Sequence, residues 1–246
     1  MRRNYNMITD QKTGIVGGTA GIGLALAGMA ADAGAEVHLG GISRNKLEQA
    51  LRQLNGKVKG GLVDARDEDS IHRFFVQAGE LHHVVSTIGP PYQAIRVLDG
   101  RRADYEELFT IKYWGQFLIA KHAVRQLMAN GSITLTSGVL SQRPAEGFSV
   151  LASVNAGVEA LARTLALEFA PRRVNVVCPG FVDTGKLHAD LPAETRAAKL
   201  QADKADTLPT RRIGLPQDVA RAYLHAMANP YLTGQTVVVD GGAALT

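Results

Sequence analysis

Apolar positions along the chain change their period at regular intervals, and that alternation fixes the expected architecture. Short apolar or alternating runs stand at 14–16, 36–39, 58–63, 83–87, 132–136, 174–178 and 236–239. Runs of this length, rich in β-branched residues, read as strands, several of them buried on both faces. Between them, apolar residues recur at helical spacing over 21–33, 44–54, 68–79, 105–129, 150–169 and 216–228. Strand and helix alternating throughout predict an α/β fold, a doubly wound parallel sheet with helices on both faces and right-handed crossovers. In 105–129, Leu108, Ile111, Gly115 and Leu118 fall on one side and leave Phe109 and Trp114 elsewhere, extra apolar surface for a subunit contact. No Pro/Gly/Ser-rich linker and no fixed-period repeat divides the 246 residues, so a single domain over 1–246 is expected. Only 185–209 breaks the rhythm. It is polar and alanine-rich and follows a strand end, where an insertion overhangs the crevice at the carboxyl ends of the strands, so it is read as a substrate lid.

Composition removes several function classes. With 46% hydrophobic and 20% charged residues the chain is globular rather than disordered or fibrous. Lys+Arg 27 against Asp+Glu 23 leaves a charge of +4, but the basic residues come in scattered pairs such as Arg101-Arg102 and Arg172-Arg173. Nucleic-acid binding calls for a concentrated stripe or module, so no nucleic-acid partner is expected. No apolar run approaches a membrane span and residues 1–10 lack the apolar stretch of a signal peptide, so a cytoplasmic protein without a membrane partner is expected. The lone cysteine, Cys178, excludes a disulfide framework and reads as packing within a strand. His72, His82 and His83 lack the spacing of metal ligands, and no metal is expected.

The strongest local signal is the turn Gly17-Gly18-Thr19-Ala20-Gly21-Ile22-Gly23, placed between the first predicted strand and a helix of small residues. Gly17 permits a tight turn. Gly21 and Gly23 allow backbone approach and close helix–strand packing, and the helix N-terminus offers N–H groups and partial positive charge to a pyrophosphate. The end of the second strand should choose between NAD and NADP, because a carboxylate there binds a ribose 2′-hydroxyl and repels a 2′-phosphate. The sequence reads Leu39-Gly40-Gly41-Ile42-Ser43-Arg44, without a carboxylate. Ser43 and Arg44 can bind a phosphate by hydrogen bond and charge, which favours NADP over NAD. Ser43 as an N-cap, with Arg44 in solvent, is the structural alternative.

Over essentially its full length the chain resembles the short-chain dehydrogenase/reductase family, whose fold is a Rossmann-type sheet. Gly17, Gly21 and Gly23 match the family's glycine turn, with Val16 in place of its threonine. Asp64, with Ala65 beside it, matches the aspartate that contacts the adenine amino group. Ser86-Thr87-Ile88-Gly89 half keeps the family's Asn-Asn-Ala-Gly. Pro179-Gly180-Phe181-Val182-Asp183-Thr184 is similar to the segment that holds the nicotinamide amide and the pyrophosphate, through the backbone of Val182 and the hydroxyl of Thr184. Arg212-Ile213-Gly214-Leu215-Pro216 and Asp240-Gly241-Gly242 resemble the closing signature. The resemblance implies a small-molecule substrate and a homodimer or homotetramer built from the two long helices.

The family's active site is a Ser-Tyr-Lys set with an Asn from the long fourth helix, and here the match fails. Ser137 stands at the expected strand end. Thirteen positions on, where the tyrosine is expected, the sequence reads Val150; the lysine position reads Val154, and the Asn position Lys112. Valine has no titratable proton, so the family's acid–base step, typically about 10²–10⁴-fold, is not available from these positions. Lys112, paired with Ser137, is the candidate replacement as proton donor or oxyanion stabiliser, because a desolvated lysine can titrate near neutrality. Tyr92, in the loop after the fourth strand, is a further catalytic candidate; Asn155 and His188 are weaker ones. Each also has a structural role open to it, in an ion pair, in loop packing or in solvent. Three functions remain open: an NADP-linked oxidoreductase with a rebuilt proton-transfer set, a catalytically silent dinucleotide-binding sensor or partner subunit, and a non-redox lyase or isomerase in the same crevice.

Overall fold

Ile15, Val37, Leu39, Val84, Val85, Ile133, Leu135, Val174 and Val177 are all fully buried, as strands covered on both faces must be. The computed structural model, which describes residues 8–54, 56–185 and 192–246, places them in a seven-stranded sheet. Its strands are β1 (Lys12–Val16), β2 (Glu36–Gly41), β3 (Val58–Leu62), β4 (Leu81–Ser86), β5 (Leu127–Thr136), β6 (Arg173–Pro179) and β7 (Thr236–Val239). All pair in parallel, in the order β3-β2-β1-β4-β5-β6-β7. The chain runs outward from β1 through β2 to β3, then returns to the other side of β1 as β4. A crevice opens at that reversal, beyond the carboxyl ends of the strands.

Helices α1 (Gly21–Asp32), α2 (Arg44–Gln53) and α8 (Pro216–Ala228) cover one face through Leu26, Leu47, Val219 and Tyr223. The other face packs under α3 (Glu68–Ala78), α5 (Gln116–Ala123) and α6 (Ser149–Glu168), through Phe74, Phe75, Ile119, Val158 and Leu165. By length and composition α6 is apolar enough to cross a membrane, yet Val154, Val158, Ala162 and Leu165 bury toward the core.

The sequence-based elements fall close to these bounds, with one correction. The helix expected over 105–129 is three pieces: α4 (Ala103–Leu108), a π-helical stretch Phe109–Gly115, and α5, which stops at Ala123. Leu127 already belongs to β5, pairing with Leu81, and Leu81 N–H donates to the Gln126 carbonyl at 2.8 Å. Helical periodicity cannot register that bond, because its partner lies on another strand. Phe109 and Trp114 are 41% and 53% exposed, on the outer side of this helix. Within 185–209, α7 (Ala193–Lys204) is helical, and Ala205 and Leu208 are buried, Leu208 clustering with Val139 and Ala243. Residues 186–191, His188 among them, lie outside the described residues.

Candidate active site

The carboxyl ends of β1 to β6 open into a single cleft of about 630 Å³. At its centre the chain turns from β1 into α1. Gly17 (φ +86°) and Gly21 (φ +52°) lie in the left-handed region, where a side chain is strained. A Cβ at Gly23 would lie 2.5 Å from the Gly17 carbonyl and 2.6 Å from Thr87 Oγ1, and one at Gly21 would lie 3.1 Å from Thr184 Cβ. The turn is fastened by Thr87, whose hydroxyl donates to the Gly17 carbonyl at 3.1 Å. Helix α1 starts at Ala20 with no side-chain cap, whereas Ser43 caps α2 and Asp67 caps α3. The first N–H groups of α1 are therefore left for something in the cleft.

At one end of the cleft lie the residues after β2 and β3. Ser43 accepts from Lys46 N–H at 3.4 Å, and both line the cleft, as does Ile42, an apolar side chain 60% exposed. Arg44, the cation expected here, is exposed and is not part of the lining; Lys46 is the cation that takes this place. The cap explains the exchange. Once Ser43 starts a helix, Arg44 and Lys46 point about 200° apart. Asp64 and Ala65 line the same end, together with Arg66. The Arg66 guanidinium grips both Asp64 carboxylate oxygens, with Nε 2.9 Å from Oδ1 and Nη2 2.7 Å from Oδ2, and holds that carboxyl below its ordinary range.

The other end is built by β5, the π-helical stretch and α6. Lys112 lines the cleft, and its Nζ donates to the Ser137 carbonyl at 3.0 Å. Ser137 is 2% exposed and its Oγ is buried without a hydrogen-bond partner, so the structure brings Lys112 to this residue's carbonyl rather than to its hydroxyl. Gly138 follows in the lining. From α6 the cleft receives Leu151 and Asn155. This corrects the helix phase read from the sequence. Val154 is buried at 1% exposure, and Val150 lines a separate depression with Tyr105, Phe109 and Trp114. Because Val154, Val158, Ala162 and Leu165 face the core, the stripe one residue along points at the strand ends.

The remaining expected residues divide. Thr19, Ile22, Gly89, Pro179, Gly180 and Thr184 line the cleft with the glycine turn. Val182 is buried and bridges to Gly214, off the lining. Tyr92 is also off it: its hydroxyl donates to the Gly147 carbonyl at 3.4 Å, its ring packs on Phe148, and burial raises its pKa. It is not brought together with Lys112 and Ser137. Cys178 is fully buried, which pushes its thiol up. Among the described residues no group of three or more His, Cys, Asp or Glu could hold a metal. Sequence reasoning missed Lys46, Gly138 and Leu151. Asn155 and Glu159, polar residues four apart in an otherwise apolar helix, carried the phase signal that would have found the α6 residues.

Comparison with known proteins agrees with this geometry. The family described as enoyl-(acyl carrier protein) reductase matches residues 16–244. The short-chain dehydrogenase/reductase ucsE of Acremonium sp is 33% identical, with 94% of each chain covered. A reductase/Diels-Alderase of Malbranchea aurantiaca, MalC, superimposes with a TM-score of 0.89 at 30% identity over 100% of both chains. A small-chain dehydrogenase in complex with NADPH superimposes with a TM-score of 0.83 at 35% identity, covering 96% of this chain and 100% of the other. The glycine turn, the cleft at the strand reversal and these whole-length matches lead to one conclusion: the chain belongs to the short-chain dehydrogenase/reductase family.

Proposed function

We propose that the protein is an NADP(H)-dependent reductase of small carbonyl compounds in which Lys112 meets the oxygen that becomes negative. The observation that carries this reading is the Lys112 ammonium, lining the cleft and steered by the Ser137 carbonyl at 3.0 Å. The cofactor fits the residues present. The uncapped start of α1, the Gly17–Gly23 turn and Thr184 form a cradle for a pyrophosphate that a Cβ at Gly21 or Gly23 would obstruct. Ser43 and Lys46 are placed for a 2′-phosphate at a strand end that carries no carboxylate, and a relative at 35% identity binds NADPH. When bound, the cofactor supplies the hydride.

The chain's own residues then orient the substrate and manage charge. Ile88, Pro90, Ile111, Leu140, Leu151 and Phe181 line the cleft with apolar surface that excludes water. In such a site a fixed cation stabilises an oxygen that gains negative charge during hydride arrival, more than it does in water. The α6 residues Leu151 and Asn155, which line the cleft, carry neither a phenol nor an ammonium, which supports Lys112 in place of the family's tyrosine–lysine pair. Lys112 supplies a cation to this end of the lining. The test is NADPH oxidation with a panel of ketones and enones. Lys112→Met should lower turnover about 10²-fold, in the range lost with an oxyanion-stabilising donor, while NADPH affinity holds. Unchanged turnover in this variant would overturn the role of Lys112.

A second reading rests on the similarity to MalC, a reductase/Diels-Alderase. Apolar walls around the Lys112 ammonium, which could polarise a carbonyl, suit a cycloaddition, in which no proton moves. Turnover of a diene–enone pair without NADPH would favour this reading over the first.

A further inference from the structure

The loop between β5 and α6 carries a guanidinium against the cleft wall. Val139 and Leu140 line the cleft, and Arg143, just beyond them, donates its backbone N–H to the Val139 carbonyl at 2.8 Å. The Arg143 side chain is half-buried and held twice. Its Nε donates to the Thr246 carbonyl at 2.8 Å, and its Cζ stands 5.8 Å from the centroid of the Phe181 ring. Phe181 is itself part of the lining, so only that ring separates the guanidinium from the cleft interior. Neither contact answers its charge. Arg66, Arg96 and Arg212 hold the carboxylates of Asp64, Glu146 and Asp218. Among the described residues Arg143 forms no ion pair, and its Nη1 and Nη2 find no acceptor. Arg44 and Arg52 are also without an ion pair among the described residues, but both are exposed and away from the cleft lining.

A guanidinium fastened through Nε keeps its end-on pair of Nη donors, a planar fork that matches the oxygens of a carboxylate side by side. A phosphoryl group brings about two charges and three oxygens, more than one fork answers. We infer that Arg143, set on the Phe181 ring, is a subsite for a substrate carboxylate, so that the protein takes keto acids in preference to neutral ketones. The ring sets the spacing. It places the carboxylate several bonds from the carbonyl that Lys112 meets, and Leu140, Leu151 and Phe181 offer apolar wall to the carbon skeleton between them. The inference names the substrate class of the proposed reductase and rests on that reading.

The test compares NADPH oxidation with benzoylpropionate and with its methyl ester, which keeps the shape and loses the charge. The unaltered protein should favour the acid in kcat/KM by about tenfold or more, as one charge-assisted pair provides. Arg143→Leu should bring that ratio close to one, chiefly through KM, and Arg143→Lys, a point charge without the fork, should keep part of it. Both rates come from one preparation, so a loss of folded protein does not mimic the effect. An equal fall for acid and ester, or no preference for the acid in the unaltered protein, overturns the subsite. A second measurement needs no turnover. Phenylpropionate, an acid with no ketone to reduce, should raise the melting temperature of the protein in the presence of NADPH, its amide should not, and the shift should vanish in Arg143→Leu. A shift that persists in that variant, or none in the unaltered protein, overturns the subsite. A shift that depends on Arg143, without reduction of any ketone, keeps the subsite and overturns the reductase reading instead.

Discussion

The two ends of the cleft are made differently. Around Gly17–Gly23 the site is backbone: a left-handed glycine turn, an uncapped helix start, and a Gly23 at which a Cβ would collide with the Gly17 carbonyl. Around β5 and α6 it is side chain: Lys112, Leu151 and Asn155 are aimed by a π-helical stretch and by the phase of α6. A site made of backbone tolerates few residue types, so it stays recognisable. A site made of side chains can exchange its chemistry while the helix beneath it packs unchanged, and the core stripe Val154, Val158, Ala162, Leu165 is indifferent to what stands at Leu151 or Asn155.

The contrast can be broken at several strengths. The largest effect is expected from Gly23→Val. Its Cβ meets the Gly17 carbonyl at 2.5 Å, and overpacking of about 1–3 kcal/mol at the cradle should reduce NADPH affinity about a hundredfold in a fluorescence titration. A change of the same number of carbons at Leu151, Leu151→Ala, should leave NADPH affinity within about twofold, because it opens the apolar wall instead of blocking the cradle. If both positions respond alike, the division into backbone and side-chain ends is wrong.

The frame beneath the first end responds to acid. His38 on β2 has its pKa lowered to about 4, chiefly by burial and then by Lys12, with Glu36 opposing. Burial also lowers His83 to about 3. Both stay neutral in the fold but take up a proton below about 6.5 when unfolded. Their stabilisation is therefore complete above about pH 6.5 and is lost as pH falls toward about 4. Thermal melts should show a loss on the order of 2 kcal/mol between about pH 7 and about pH 5 from His38 alone, and His38→Phe should flatten that slope. A melting temperature constant over this range would contradict the buried neutral histidines. A smaller effect is expected at the cleft mouth. Lys46→Ala should weaken NADPH about tenfold, one charge-assisted contact, and leave NADH unchanged, whereas Arg44→Ala should leave both unchanged. Equal losses for NADPH and NADH would remove Lys46 from the 2′-phosphate site.

Much of this was legible in the residues. The strands and most helices follow from period and punctuation, and the glycine turn declares its position because no other residue fits φ +86° and +52° so freely. The break of the fourth long helix was not legible, because Leu127 leaves helix for strand on account of its pairing with Leu81. Arg44, the cation read from the sequence beside Ser43, lies off the lining for a local reason: Lys46 stands two residues on, and only the start of α2 decides which side chain swings over the cleft.

By itself the sequence determined the doubly wound α/β order, the phosphate-binding turn and the absence of a carboxylate after β2, because each is written in local spacing and residue type. The tertiary structure alone decided that Leu151 and Asn155, not Val150 and Val154, face the cleft, and that Lys112 meets the Ser137 carbonyl. A helix turns about 100° per residue, so an offset of one position that spacing barely registers carries a side chain from core to cleft.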